Sequence, residues 1–109
     1  MIDLKELQKE VMRNKIEKGF NVSDTALEFC RAHEELSEAF SKYNRNQSGV
    51  AEEFADVMIF ILGMCENMGF DLEKELLRKI EINKKRVYKK SKSPEGKDVF
   101  TRVKTDEDP

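Results

Sequence analysis

Residues 24–43, DTALEFCRAHEELSEAFSKY, decide the fold. Ala26, Leu27, Phe29, Ala32, Leu36, Ala39, Phe40 and Tyr43 recur at the three- and four-residue spacing of one helical face, with Asn21, Ser23 and Asp24 as start signals ahead of them. The stretch predicts an amphipathic helix whose broad apolar stripe must be covered by neighbours. On its N-terminal side, Leu4, Leu7, Val11 and Ile16 predict a helix over 2–18, stopped by Gly19 with Phe20 as the capping contact. On its C-terminal side, NRNQSG at 44–49 is a short connection that returns a third helix, 50–68, antiparallel to the second. Gly69 ends that helix, and Asp71 starts a charged fourth one over 72–90 that turns Leu76, Leu77, Ile80 and Val87 inward. The expectation is an all-α four-helix bundle over 1–90 and a short irregular tail over 91–109. In that tail PEG reads as a turn, Val99 to Val103 alternates weakly like a strand, and the last residues are expected to be disordered.

Composition supports one helical core. The chain has 109 residues, 39% hydrophobic and 39% charged, with only 5 glycines and 2 prolines, which argues against a turn-rich β-sandwich or barrel. The net charge of −2 excludes a uniformly basic nucleic-acid binder, but it conceals a division. Residues 1–77 carry 9 basic and 16 acidic groups, residues 78–104 carry 11 basic and 3 acidic, and the last five add three acids. Cys30 and Cys65 are too few for a disulfide framework or, with His33 as the single histidine, a structural zinc, and both are expected in the core as free thiols. The charged N-terminus lacks an apolar signal region, and the longest apolar run, VMIFILGMC at 57–65, is too short to span a bilayer. A cytoplasmic protein without membrane contact is expected. That run is apolar on nearly every side of its helix, which calls for cover either from a partner subunit or, in a monomer, from the first helix and the tail wrapped around it.

Helices two and three repeat one pattern: Glu35-Leu36-Ser37-Glu38-Ala39-Phe40 and Glu53-Phe54-Ala55-Asp56-Val57-Met58, each reading acid, apolar, small, acid, apolar, apolar. Acids at i and i+3 share a helical face, and the apolar positions turn to the adjoining one, so both pairs border the core. Two like charges about 4 Å apart cost on the order of 4 kcal/mol at an effective dielectric near 20, so convergence of the pairs calls for a cation. An all-oxygen set without histidine or thiolate suits Mg²⁺ or Mn²⁺ shared with phosphate oxygens. By spacing alone the same acids would also serve as a solvated helix edge, with Glu34 on the exposed side. Lys79, Asn83 and Arg86 follow at i, i+4 and i+7 on the fourth helix, a face that would bind phosphate or equally form an ordinary charged surface.

With Glu34-Glu35-Leu36-Ser37-Glu38 and Glu53-Phe54-Ala55-Asp56, the chain resembles the MazG-like nucleotide pyrophosphohydrolases, whose signature is EExxE followed by ExxD. The likeness runs through NKIEKGFN (14–21), LEFCRAHEELSEAF (27–40), EEFADVMIFILGMCENMGFDLE (52–73) and KIEINKKRVY (79–88), roughly residues 1–90. The resemblance implies an oligomeric all-α NTP pyrophosphatase fold, a homodimer or homotetramer, and Mg²⁺-dependent hydrolysis of a nucleoside triphosphate to monophosphate and pyrophosphate. It assigns metal binding to Glu35, Glu38, Glu53 and Asp56, phosphate contacts to Lys79 and Arg86, and a nucleotide contact to Asn83. Glu34, the first acid of EExxE, is a candidate to position or deprotonate the attacking water, and metal-bound hydroxide is an equal one. Phosphoribosyl-ATP pyrophosphohydrolase is the alternative within that fold. A helical module binding nucleic acid or protein through residues 78–104 is the alternative from another class, although the acidic first part argues against a nucleic-acid partner.

Overall fold

A computed structural model describes residues 1–104. It contains α1 (Leu4–Lys18), α2 (Thr25–Asn44), α3 (Val50–Met68) and α4 (Leu72–Lys85), followed by strands β1 (Val87–Lys92) and β2 (Asp98–Val103). The four expected helices are present and the class is all-α, with one small hairpin at the C-terminal end. Two compact units divide within α4, the first being Met1–Glu73 and the second beginning at Lys74. Among the described residues no helix is long and apolar enough to cross a membrane.

In the first unit α1 and α2 both pack on α3. The ends follow from local chemistry. Asp3 and Asp24 cap α1 and α2 by accepting hydrogen bonds from the backbone N–H groups of Glu6 and Leu27, both at 3.1 Å. Gly19 closes α1 at φ 74°, a left-handed conformation that side chains disfavour, and the Phe20 N–H then reaches the Lys15 carbonyl at 2.9 Å.

The inward positions of α1 are not all apolar. Gln8 is 1% exposed: its Nε2 donates to the Phe70 carbonyl at 2.9 Å and to Glu66 Oε2 at 3.3 Å, while its Oε1 accepts from the Leu72 N–H at 2.9 Å. One amide thus ties α1 to the turn between α3 and α4. Gln8→Ala leaves a backbone donor and a backbone acceptor without their partner and is expected to lower stability by about 2–3 kcal/mol, read as a shifted midpoint in urea melts. Two turns further on, Lys15 is buried and Ile16 is exposed, reversing the expectation that Ile16 faces the core.

The stripe on α2 is wider than its neighbours cover. Ala39 is buried, but Phe29, Leu36, Phe40 and Tyr43 are exposed, as are Phe54 and Met58 on α3. Cys30 is exposed, whereas Cys65 is buried, so only one of the two free thiols is in the core as expected.

In the second unit, α4 ends at Lys85, not near 90. Leu76, Leu77, Ile80 and Val87, expected to turn inward, are exposed. The tail is ordered into a strand pair and is not irregular: β1 and β2 are antiparallel, with Val87 opposite Val103 and Lys92 opposite Asp98. The turn forms where PEG was read, with Gly96 at φ 81° and its N–H bonded to the Ser93 carbonyl at 2.9 Å. The boundary expected at 90/91 falls inside β1. Residues 105–109, where disorder was expected, lie outside the described part.

Candidate metal centre

Packing of α2 on α3 brings the two acid patterns together. One carboxylate oxygen from each of Glu35, Glu38 and Glu53 lies within 4.8 Å of the others. Glu35 and Glu38 are one helical turn apart on α2, and Glu53 stands in the first turn of α3, where the helix N-terminus favours negative charge. The setting is graded: Glu53 is buried, Glu35 half-buried and Glu38 exposed. Asp56 is not in the three-carboxylate group, but its charge acts on Glu35, and it lines a cavity of about 930 Å³ between α1, α2 and α3.

Lys42 is the member that the sequence reading missed. Its ammonium donates to Glu53 Oε1 at 2.7 Å. The signal was present, since Glu35, Glu38 and Lys42 follow at i, i+3 and i+7 on one face. Glu53 Oε2, in contrast, is buried without any hydrogen-bond donor. Such an orphaned acceptor is a free-energy penalty that a cation or a proton removes.

The titration of the cluster reflects this. Hydrogen bonding to Glu53 is the largest cause raising Glu35 from 4.5 to about 7, followed by burial and then by the charges of Glu38, Glu53 and Asp56. Glu53 is held below the usual carboxylate range, first by Lys42 and then by Glu35. The pair with Glu53 in turn raises the Lys42 ammonium. Glu53 is therefore the standing anion and Glu35 the group that keeps a proton when nothing else supplies positive charge. An orphaned carboxylate oxygen beside two further carboxylates, with no nitrogen or sulfur donor, fits a hard divalent cation.

The other expected site residues are dispersed. Glu34 is exposed and pairs with Arg31 at 3.2 Å, one residue away from the cluster in sequence but on the outer side of α2. His33 is exposed as well. Lys79, Asn83 and Arg86 belong to the second unit. There Arg86 follows the end of α4 and its Nη1 donates to Asn83 Oδ1 at 3.0 Å, while its Nε is buried without a partner. The single face expected for these three is thus interrupted after Lys85, where the helix stops.

A family model matches residues 26–99, well over half of the chain, and spans both acid patterns and the downstream Lys79, Asn83 and Arg86. The chain belongs to the MazG-like family. Searches of curated proteins and of solved structures find no match. Membership of the MazG-like family points to nucleotide pyrophosphohydrolase chemistry at the level of the family, and the family is generally dependent on a divalent metal. Among the described residues, the carboxylates of α2 and α3 form a candidate cluster for such a metal.

Proposed function

We propose that the protein is a Mg²⁺-dependent nucleoside triphosphate pyrophosphohydrolase that releases pyrophosphate and leaves the nucleoside monophosphate. The observation that carries this reading is the convergence of Glu35, Glu38 and Glu53 with one buried, unpartnered oxygen on Glu53. These three, with Asp56, would hold Mg²⁺ or Mn²⁺. When bound, the metal neutralises phosphate charge and makes water a better nucleophile at neutral pH. Glu53 anchors the centre because Lys42 keeps it ionised. Glu35 joins as it gives up its proton. Glu34 is proposed to position the attacking water from the rim of α2. Lys79 and Arg86 are proposed to bind the phosphates, and Asn83 the nucleotide. Free thiols at Cys30 and Cys65 support a reducing compartment, and we assign the protein to the cytoplasm.

The direct test is incubation with dNTPs, NTPs and phosphoribosyl-ATP in Mg²⁺, scored for pyrophosphate. Release from at least one nucleoside triphosphate is expected. No release from any of them, with Mg²⁺ binding demonstrated, would sink the reading, and a preference for phosphoribosyl-ATP would transfer it to the alternative substrate.

The uncovered stripe of Phe29, Leu36, Phe40 and Tyr43 on α2 supports assembly into a homodimer or homotetramer. Sedimentation at micromolar concentration is expected to give at least twice the 12.7 kDa monomer mass. For Phe40→Glu the expected result is the monomer.

A further inference from the structure

Lys15 of α1 and Glu28 of α2 form an ion pair with side chains only 8% and 10% exposed, and the metal centre does not use it. The pair is held from several directions. The Lys15 ammonium bonds Glu28 and stands 5.0 Å from the centre of the Phe60 ring. It also runs along Gly63, where a Cβ would lie 3.1 Å from Lys15 Cε and 3.2 Å from Nζ. Withdrawing two charges from water is costly, and a well-packed apolar pair of similar volume commonly serves stability as well or better. A clasp between two helices therefore gives little reason for an ion pair at this position. The cavity gives one, because both residues line the same space of about 930 Å³ as Asp56, among apolar walls that include Leu7, Val11, Leu27 and Ile59.

We propose that this cavity takes the base of the nucleotide and that Lys15 and Glu28 read a guanine-type edge. The inference rests on the pyrophosphohydrolase reading and deepens it. The volume is in the range of small-molecule sites, which are mostly apolar with a few fixed polar groups. Flat aliphatic and aromatic walls suit a heteroaromatic ring. Asp56 belongs both to the cavity wall and to the surroundings of Glu35, so a base in the cavity would put its sugar and phosphates on the side of the acid cluster. The lining also carries the exposed Glu10, Arg13, Asn14, Glu17 and Arg31 at its rim, and the buried pair, Lys15 and Glu28, is what selects the edge. A carboxylate offers two acceptor oxygens and an ammonium only donors. Guanine presents two adjacent donors, N1–H and the N2 amino group, followed by the acceptor O6. Those three groups match Glu28 and Lys15 together. Adenine has one amino donor beside an acceptor nitrogen, cytosine an amino group followed by two acceptors, and uracil or thymine a single N–H between two carbonyls. Glu28 Oε1 already accepts from Lys15, and each of these bases brings a single donor to the carboxylate where guanine brings two; sites built around hydrogen bonds reject analogues that lack them.

The test is calorimetric titration of the full chain with nucleosides, without phosphate or metal. Guanosine is expected to bind at least tenfold more tightly than inosine, which lacks only the N2 amino group, and than adenosine or cytidine. Glu28→Gln, which exchanges an acceptor for a donor at constant shape, is expected to erase that preference. Lys15→Met/Glu28→Leu keeps the volume, removes both charges and covers the case in which the single variant fails to fold; it is expected to bind the nucleosides alike. Equal binding of all nucleosides by the wild type, no binding at millimolar concentration, or an unchanged guanosine preference in either folded variant would overturn the proposal. A loss of melting temperature in Glu28→Gln with the order of nucleosides preserved would show the pair to be a clasp alone. Because the titration needs neither phosphate nor metal, it fails separately from the parent reading. Guanosine preference without hydrolysis of any triphosphate refutes the enzyme and keeps the cavity, and hydrolysis without base preference does the reverse.

Discussion

Glu53→Gln should lower pyrophosphate release by about 10³-fold or more while leaving the helical circular dichroism signal unchanged. The loss follows from the position of Glu53 as the buried anion of the cluster, the one carboxylate kept ionised by Lys42. Removing a single oriented donor from an oxyanion site typically costs roughly 10²–10³-fold, and removing a metal ligand together with its charge should cost at least as much. The fold should tolerate the change. Gln has the same shape, its amide oxygen can still accept from Lys42 at the 2.7 Å position, and its amide nitrogen gives Glu35 a donor in place of a repelling charge. In metal-free buffer the variant is therefore expected to melt no lower than the wild type, and to lose the stabilisation that Mg²⁺ confers. Activity within tenfold of the wild type would remove Glu53 from the metal site. Loss of activity together with a collapsed metal-free melt would mean that the residue holds the helices together and does nothing further.

What could be read before the structure was the part of the site written in a helical period. The i,i+3 acids have apolar residues on a fixed side, and that border places them at the edge of an interhelical contact whichever helix lies opposite. Lys42 obeys the same geometry but went unread, because a lysine ahead of a polar connection is ordinarily solvated. In α1 the period was correct and the residue types misled. Leu4, Gln8, Val11 and Lys15 lie along one inward side, so the actual core stripe includes an amide and an ammonium, and Ile16, taken as inward on hydrophobicity, is left outside. Burial of Gln8 and Lys15 depends on partners 58 and 13 residues away, Glu66 and Glu28, which no local window contains.

The second unit was less legible for a different reason. VYKKSK is lysine-rich, and at that charge density a period of two and a period of 3.6 look alike, so α4 was extended through what is β1. The cross-strand pairing of Lys90 and Lys92 with Asp98 settles the register, at 3.3 Å and 2.5 Å, but the pairing is visible only once the turn at Gly96 is known to close. The exposed stripe on α2 shows the limit of hydrophobic patterning in general. Phe29, Leu36, Phe40 and Tyr43 announce that they will be covered, and the pattern is the same whether the cover is another helix of this chain or a second copy.

Magnesium should raise the melting temperature by an amount that grows with pH between about 5 and 8. Glu35 is raised from 4.5 to about 7 in the folded protein, so across that interval the folded state holds a proton that the unfolded chain has released. Stability from this group is fully present below the unfolded value and is lost as pH rises through the folded one, so the metal-free melting temperature should fall from pH 5 to pH 8. Glu53 acts in the opposite sense. Its depressed value stabilises the fold above the ordinary carboxylate range and that contribution is lost only in more acidic solution, below the interval in question. The decline should therefore belong to Glu35, and Glu35→Gln should flatten it. Mg²⁺ competes with that proton: at pH 5 it must displace it, and at pH 8 it meets an ionised Glu35 beside Glu38 and Glu53. At a concentration of one hundred times its dissociation constant the ion adds about 2.7 kcal/mol, which for a domain of this size is on the order of 10–20 °C. A rise independent of pH would mean that Glu35 does not take part in binding. No rise at any pH would mean that Lys42 alone neutralises the cluster and that the carboxylates of α2 and α3 are a structural ion-pair network.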